Sequence, residues 1–183
     1  MIKLKNGNIE INGKIFQKFL SSYDITKIVT ELADKINSDL LGKNPVFLLV
    51  LNGSIFFGGD LLRKITLDCT INSISAKSYG NEMKSSEKVN IKEVNLDIQD
   101  KDIVIVEDIV DSGYTIKALI ETLTKLNPSS IKVVALLSKP SRRKVDIKID
   151  YIGMEIPDKF VIGYGLDYAE KGRNLPDIYA LID

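Results

Sequence analysis

The sequence predicts an α/β protein with a doubly wound, mainly parallel central sheet flanked by helices, and two observations carry that expectation. Three apolar runs stand out: Val46 to Leu51 and Ile103 to Val106 are uninterrupted, and Ile131 to Leu137 is broken only by Lys132. Strands that read this way are buried on both faces, as the strands of parallel sheets are. Between and before them lie stretches with apolar residues at helical spacing, Asp24 to Leu41 and Ile116 to Leu126, so helices alternate with strands. The alternation by itself says little about function, because one architecture hosts many chemistries.

In chain order, the first helix places Ile25, Ile28, Val29, Leu32, Ile36 and Leu40 on one face, with Asp24 suited to the N-cap and Gly42 to the stop. The strand Val46 to Leu51 ends in Asn52-Gly53-Ser54, and a helical stretch follows through Leu61 and Leu62. Ile71 to Ile74 starts another strand. From Ser75 to Asn90 the chain is polar, with Gly80 and alternating charges. Inside a compact chain so long a polar segment reads as a mobile functional loop rather than a linker. Ile149 to Gly153 gives a further strand and Phe160 to Ile162 a short last piece. Neither an internal repeat nor a low-complexity tract interrupts the pattern, and residues 1–183 read as a single domain long enough to bury a core.

Composition removes several classes of function. Lys+Arg and Asp+Glu both number 25, so there is no basic excess of the kind that binds nucleic acid. The basic spot from Lys139 to Lys144 is suited at most to a small anion. The one cysteine, Cys69, excludes an internal disulfide framework, fits a reducing compartment and reads as packed rather than reactive. There is no histidine, which excludes serine–histidine and cysteine–histidine catalysis and the usual zinc sites. Acid–base work therefore falls to carboxylates, lysine or tyrosine. Met1 to Glu10 hold no apolar signal region and no apolar run approaches membrane-spanning length, so the expected location is cytoplasmic, without a membrane partner.

The sharpest feature runs from Ile103 through Val106 into Glu107-Asp108-Ile109-Val110-Asp111-Ser112-Gly113-Tyr114-Thr115. A buried strand leads into two adjacent carboxylates, a third carboxylate, a Ser-Gly-x-Thr turn and a helix. In open α/β sheets ligands bind beyond the carboxyl ends of the strands, where this loop must lie. Ser112 to Thr115 offer backbone N–H groups, two hydroxyls and a helix N-terminus, with Gly113 permitting close approach: the parts of a monophosphate cradle. Glu107 and Asp108, pointing opposite ways if the strand persists, suit a vicinal diol or a hydrated Mg²⁺. Phosphate at one end and diol at the other describe a ribose 5-phosphate. Adjacent acids after an apolar strand also serve as metal ligands in response-regulator receivers and nucleotidases; Asp111, Ser112, Gly113 and Thr115 in register favour the sugar phosphate.

This loop resembles the phosphoribosyl pyrophosphate motif of the type I phosphoribosyltransferases, and other segments narrow the resemblance to the hypoxanthine-guanine branch. Leu51-Asn52-Gly53-Ser54 is similar to that branch's first pyrophosphate loop, Lys77-Ser78-Tyr79-Gly80 to the start of its mobile lid, and Leu136-Leu137-Ser138-Lys139 to its purine-reading strand end. The segment from Tyr151 to Tyr168, with Arg173-Asn174-Leu175-Pro176, is close to its C-terminal signature, which orotate and adenine enzymes lack. The likeness spans the chain from about Val46 to its end. It implies a small hood lobe built from the terminal segments.

The resemblance also implies roles. Asp111 becomes the general base near N7 of the purine, alongside the simpler reading of a helix cap. Glu107, Asp108, Asp111, Ser112, Gly113, Tyr114 and Thr115 hold the phosphoribosyl group and its 5-phosphate. Lys139 donates to the purine O6, favouring hypoxanthine and guanine over adenine. Phe160 stacks on the base, the Val161 backbone contacts its edge, and Asp167 closes the purine end. Asn52, Gly53, Arg143 and Arg173 bind pyrophosphate, Ser78 and Tyr79 come from the lid, and Glu107, Asp108 and Asp167 are the Mg²⁺ ligands. The branch also has a non-proline cis peptide that falls here on Leu51–Asn52, and it forms homodimers and homotetramers. Two departures stand out: Asn52 and Tyr114 occupy positions where many members have lysine, which is expected to tune affinity. Two other readings stay open, a preference for xanthine and a non-catalytic regulator that retains the sugar-phosphate site. The neutral charge balance and the joint presence of Asp111, Lys139, Asp167 and Arg173 weigh against the regulator.

Overall fold

The apolar runs form strands whose two faces are buried against different helices. The computed structural model describes residues 2–4, 7–78, 89–91 and 97–182. An N-terminal meander comes first, β1 (Ile2–Lys3), β2 (Ile9–Ile11) and β3 (Lys14–Leu20). It is followed by α1 (Ser22–Asp39), β4 (Val46–Leu51), α2 (Ile55–Leu62), β5 (Thr70–Ser78), β6 (Val89–Ile91) and β7 (Asp102–Val110). The chain closes with α3 (Tyr114–Thr124), β8 (Ser130–Ser138), a 3-10 turn Pro140–Arg142, β9 (Tyr151–Glu155), β10 (Val161–Ile162) and β11 (Ile178–Leu181).

The central sheet has the order β6-β5-β4-β7-β8-β9. Strands β5, β4, β7, β8 and β9 run parallel, and β6 adds an antiparallel edge to β5. In β4, Phe47 and Leu49 join the cluster formed with α1 and α2, while Val46, Leu48 and Val50 join the cluster under α3. In β7, Val104 and Val106 likewise oppose Ile103 and Ile105. Side chains alternate across a strand, so only a run apolar at every position can feed both layers. That is the physical content of a doubly wound fold, and the sequence expectation holds.

Helix α1 begins two residues before the position expected from its apolar period. Ser21 is the N-cap and Asp24 the third helical residue; the Ser21 hydroxyl accepts from the Asp24 N–H while the Asp24 carboxylate accepts from the Ser21 N–H. This reciprocal capping satisfies two otherwise orphaned donors, and Asp24 is half of it rather than the cap itself. Beyond the C-cap Leu40, Gly42 has φ 76° and stops the helix as expected. Strand β7 outruns its apolar run, continuing through Glu107 and Asp108 to Val110. Strand β5 continues to Ser78, and Lys77 pairs with Asn90 on β6, so both ends of the segment Ser75 to Asn90 are in strands. Residues 79–88, where most of the expected lid falls, lie outside the described residues.

A second, antiparallel sheet of order β1-β2-β3-β11-β10 forms the hood from the two terminal segments. It has its own core of Ile9, Ile11, Phe16, Ile162, Leu175 and Tyr179. β1, β2 and β11 escape a reading based on long apolar runs because they are short, and β3 because its pattern is broken by exposed residues. Cys69 packs half-buried against the main core, and burial pushes its thiol above 9.0. Among the described residues no helix is long and apolar enough to cross a membrane.

Asp177 ties the hood to the start of α1. Its carboxylate accepts from the Ser22 N–H at 2.8 Å and pairs with Lys18 at 2.7 Å. Burial pushes this carboxyl up, but the hydrogen bonds from Lys18 and Ser22 and the Lys18 charge outweigh it, leaving it below 3.8. A depressed carboxyl contributes stability that is present above its unfolded pKa and lost as pH falls through the folded one. Asp177→Asn is therefore expected to lower the melting temperature at neutral pH. Thermal unfolding across a pH series should show the gap from wild type closing as pH falls below 3.8.

Candidate active site

Strand order reverses between β4 and β7: the chain moves from β4 outward to β5 on one side and from β7 to β8 and β9 on the other. The carboxyl ends of β4 and β7 thus flank the crevice where open α/β sheets bind ligands. β4 delivers Leu51, a cis Leu51–Asn52 bond, and then Gly53 and the fully buried Ser54. β7 delivers Glu107, Asp108, Asp111 and the turn into α3.

That turn leaves the N-terminus of α3 uncapped. Gly113 is the N-cap of α3 with φ 89°, a left-handed conformation that disfavours other residues, and no side chain caps the helix. The first-turn N–H groups of Tyr114, Thr115 and Ile116 have no intrahelical acceptor. They border a cavity of about 200 Å³ lined by residues 107–116. Asp111 does not act as the cap. Its Oδ1 accepts from Arg142 Nε at 3.2 Å and its Oδ2 from Lys139 Nζ at 3.4 Å. Lys139 is 6% exposed, so it is a buried cation at the strand end rather than a surface lysine.

The acidic pair is strongly perturbed by burial. Strand geometry persists through Glu107 and Asp108, and the charge of the Asp108 carboxyl acts on that of Glu107. Burial, then the Asp108 charge, pushes the Glu107 carboxyl well above the usual range, and burial pushes Asp108 up to about 6. Glu107 Oε2 is enclosed and has no hydrogen-bond partner among the described residues. Two desolvated acids side by side hold on to a proton unless hydroxyl donors or a cation arrive.

The loop after β4 reaches this pair through two glycines. A Cβ on Gly53 would collide with the Asp108 carboxylate, and one on Gly165 would collide with the Gly53 carbonyl. Gly165 is held by Arg173 from both sides: its N–H donates to the Arg173 carbonyl at 2.9 Å, and its own carbonyl accepts from the Arg173 guanidinium at 2.7 Å. Arg173 also pairs with Asp167 at 2.6 Å, and its charge acts on Asp108. Gly53, Asp108, Asp167 and Arg173 are thus brought together, with the exposed Asn52 at the rim.

Other expected site residues sit differently. Phe160 is half-buried, with its ring 6.5 Å from that of Phe16 and 5.8 Å from that of Tyr168, so one side of it belongs to the hood core. Val161 is buried beside it in β10. Arg143 lies on the phosphate-loop side: a Cβ on Gly113 would sit 3.1 Å from its Cδ, and its guanidinium donates to Ser138 Oγ at 3.0 Å. Ser78 ends β5, and Tyr79 lies outside the described residues. Among the described residues no three His, Cys, Asp or Glu side chains form a ready metal cluster.

The phosphoribosyl transferase domain family model matches residues 18–169. The chain is 39% identical over 176 residues to the hypoxanthine-guanine phosphoribosyltransferase of Aquifex aeolicus, covering 95% of this chain and 99% of that one. It is 44% identical over 163 residues to the enzyme of the same name from Bacillus subtilis, covering 88% and 91%. A crystal structure of a Bacillus anthracis hypoxanthine-guanine phosphoribosyltransferase superposes with a TM-score of 0.85 at 42% identity, covering 91% of this chain and 98% of that chain. The chain belongs to the hypoxanthine-guanine phosphoribosyltransferase family. The hood, the parallel five-stranded core and the cis bond are thus features of a phosphoribosyltransferase rather than of a receiver or nucleotidase, the other owners of strand-end acid pairs.

Three participants in this phosphoribosyltransferase site were not singled out from sequence. Arg142 contacts Asp111, Asp158 pairs with both Lys139 and Arg142, and Gly165 seats the first loop. The basic spot at 139–144 was visible, but which of two adjacent arginines turns toward Asp111 depends on the 3-10 turn. Gly53→Ala is expected to displace the first loop from Asp108 and to lower kcat/KM on the order of 10²-fold. Steady-state kinetics on a variant with a native circular-dichroism spectrum measure the effect.

Proposed function

We propose that the chain transfers the 5-phosphoribosyl group from phosphoribosyl pyrophosphate to N9 of hypoxanthine, and of guanine, giving IMP or GMP and pyrophosphate. The observation that carries the base assignment is the Lys139–Asp111 pair at 3.4 Å. A cation that can only donate stands beside a carboxylate that accepts, and the O6 and N7–H edge of a 6-oxopurine presents the complementary pattern. Adenine, with an amino group at position 6, would point donors at Lys139.

The chain's own residues then divide the work. The Ser112 to Thr115 turn holds the 5-phosphate with backbone N–H groups and hydroxyls. Glu107 and Asp108 accept hydrogen bonds from the ribose hydroxyls. Asp111 holds the N7 proton as N9 attacks the sugar, and Lys139 fixes O6. Phe160 and the Val161 backbone wall the base, while Arg173 and the Asn52–Gly53 loop retain the departing pyrophosphate. Ser78 and Tyr79 would close over the site, keeping water from the electron-deficient sugar carbon.

Mg²⁺ fits the donor set. It takes oxygen ligands, keeps several waters and is bound through one or two carboxylates plus substrate phosphates, so a three-residue cage is not required. Glu107 and Asp108 would hold it, the unpartnered Glu107 Oε2 being suited to a cation or its hydration shell. Asp167, now paired with Arg173, would join them. When bound, the ion neutralises charge developing on the leaving pyrophosphate. A cytoplasmic location suits the one unpaired thiol, and a homodimer or homotetramer is the assembly the family implies.

The decisive assay follows nucleotide formation from phosphoribosyl pyrophosphate, Mg²⁺ and each of hypoxanthine, guanine, xanthine and adenine. Product is expected with the first two; no product from any 6-oxopurine overturns the reading, and a dominant xanthine rate reassigns the base. Asp111→Ala should lower kcat by roughly 10²–10⁴-fold. Lys139→Ala should narrow the gap in kcat/KM between hypoxanthine and adenine, and an unchanged ratio removes its role in base choice.

A further inference from the structure

Four side chains around the base site form a closed ring of alternating charge. Lys139 Nζ lies 3.4 Å from Asp111 and 3.9 Å from Asp158; Arg142 lies 3.2 Å from Asp111 and 3.5 Å from Asp158. Each cation touches both carboxylates and each carboxylate both cations. The ring is neutral, and it joins three chain segments: the phosphate loop, the turn after β8 and the loop before β10.

We propose that Arg142 and Asp158 are positioning residues of this ring, aiming Asp111 and Lys139 at a 6-oxopurine. This rests on the function proposed above. The geometry gives each a distinct task. Arg142 Nε occupies Asp111 Oδ1, which leaves Oδ2 as the oxygen directed at Lys139. Without that bond the carboxylate is free to rotate about its terminal torsion, which is broad and only two-fold. The 3-10 turn sets the direction of Arg142: its N–H donates to the Lys139 carbonyl at 3.1 Å, while the Lys139 N–H donates to the Val110 carbonyl at 3.0 Å. Base-reading lysine and positioning arginine are thus locked to the end of β7 by consecutive backbone bonds.

Asp158 acts on the cation. The Lys139 side chain is only 8% exposed, and a buried ammonium must be paired. If Asp111 were its one partner, a proton shared between Asp111 and N7 would remove the countercharge during the reaction. Asp158 keeps a second carboxylate on Lys139, and by holding Arg142 it links the strand end to the loop that leads to Phe160 and Val161. A role in stability alone is a poor account of these contacts. The Arg142 and Asp158 side chains are 35% and 53% exposed, and ion pairs that exposed contribute little to folding.

Steady-state kinetics on the full chain with Mg²⁺, varying hypoxanthine at saturating phosphoribosyl pyrophosphate and then the reverse, test the ring in Arg142→Gln, Arg142→Lys and Asp158→Asn. Arg142→Gln should lower kcat/KM for hypoxanthine on the order of 10²-fold, with KM for phosphoribosyl pyrophosphate within about twofold of wild type. Asp158→Asn should lower the same ratio by about tenfold, and Arg142→Lys should restore most of what Arg142→Gln loses. A folded Arg142→Gln with unchanged kcat/KM overturns the proposal, as does a matching rise in KM for phosphoribosyl pyrophosphate, which marks a general structural defect. Should Arg142→Gln fail to fold, Asp158→Asn supplies the same two readings. A wild-type chain inactive on every 6-oxopurine overturns the function itself, whereas an active wild type with an indifferent Arg142→Gln overturns only the ring.

Discussion

The parallel pairing of β4 with β7, from Val46 opposite Ile103 to Leu49 opposite Val106, is the constraint on which the site depends. It sets two strand ends side by side at the point where the chain changes its direction of winding. From one end comes a loop of glycine and backbone, from the other an acidic pair and a phosphate cradle. A one-residue slip would exchange the faces of β4, sending Phe47 and Leu49 under α3 and Val46, Leu48 and Val50 toward α1. It would also displace Gly53 from Asp108, where there is no room even for a methyl group. The two-sided core therefore enforces the register, and the register positions the chemistry.

The two halves of the site handle charge in opposite ways. At the end proposed to hold the sugar, burial raises both Glu107 and Asp108; the Ile109 N–H and the Arg173 charge offset it only in part at Asp108, and Glu107 Oε2 has no partner among the described residues. Such a pair is satisfied by donors from outside, either hydroxyls or a cation. At the base end, Lys139, Arg142, Asp111 and Asp158 compensate one another. A neutral heterocycle can enter there without bringing a countercharge. Under the proposed function the charged donor would lie against the first cluster and the neutral acceptor against the second, a polarity that follows from how each cluster is solvated.

Much of this was legible in the sequence because it is written in local patterns. Uninterrupted apolar runs require a strand covered on both faces, and the Glu-Asp-x-x-Asp-Ser-Gly-x-Thr spacing follows one of them directly. The hood was less legible: β1 and β2 are only two and three residues long, β3 mixes buried and exposed positions, and β11 pairs with β3 from the far end of the chain. Asp24 read as a cap because the apolar period begins beside it, while the reciprocal bond with Ser21 became visible only in three dimensions. From sequence Arg143 was expected to assist Arg173 at the pyrophosphate; in the structure it packs against Gly113 and donates to Ser138, and it is its neighbour Arg142 that faces Asp111.

By itself, then, the sequence determined the fold class, the acidic loop that follows β7 and, through the C-terminal segments, the purine branch of the family. Each of these depends on residues close together in the chain, where strand and helix periods and turn chemistry act. Tertiary structure alone decided what meets across the crevice: Gly165 against Gly53, Arg173 beside Asp108, and Asp158 and Arg142 around Lys139 and Asp111. Those contacts join segments separated by dozens of residues, and their geometry is set by strand register and by one short turn. Composition and spacing carry no information about either until the core has packed.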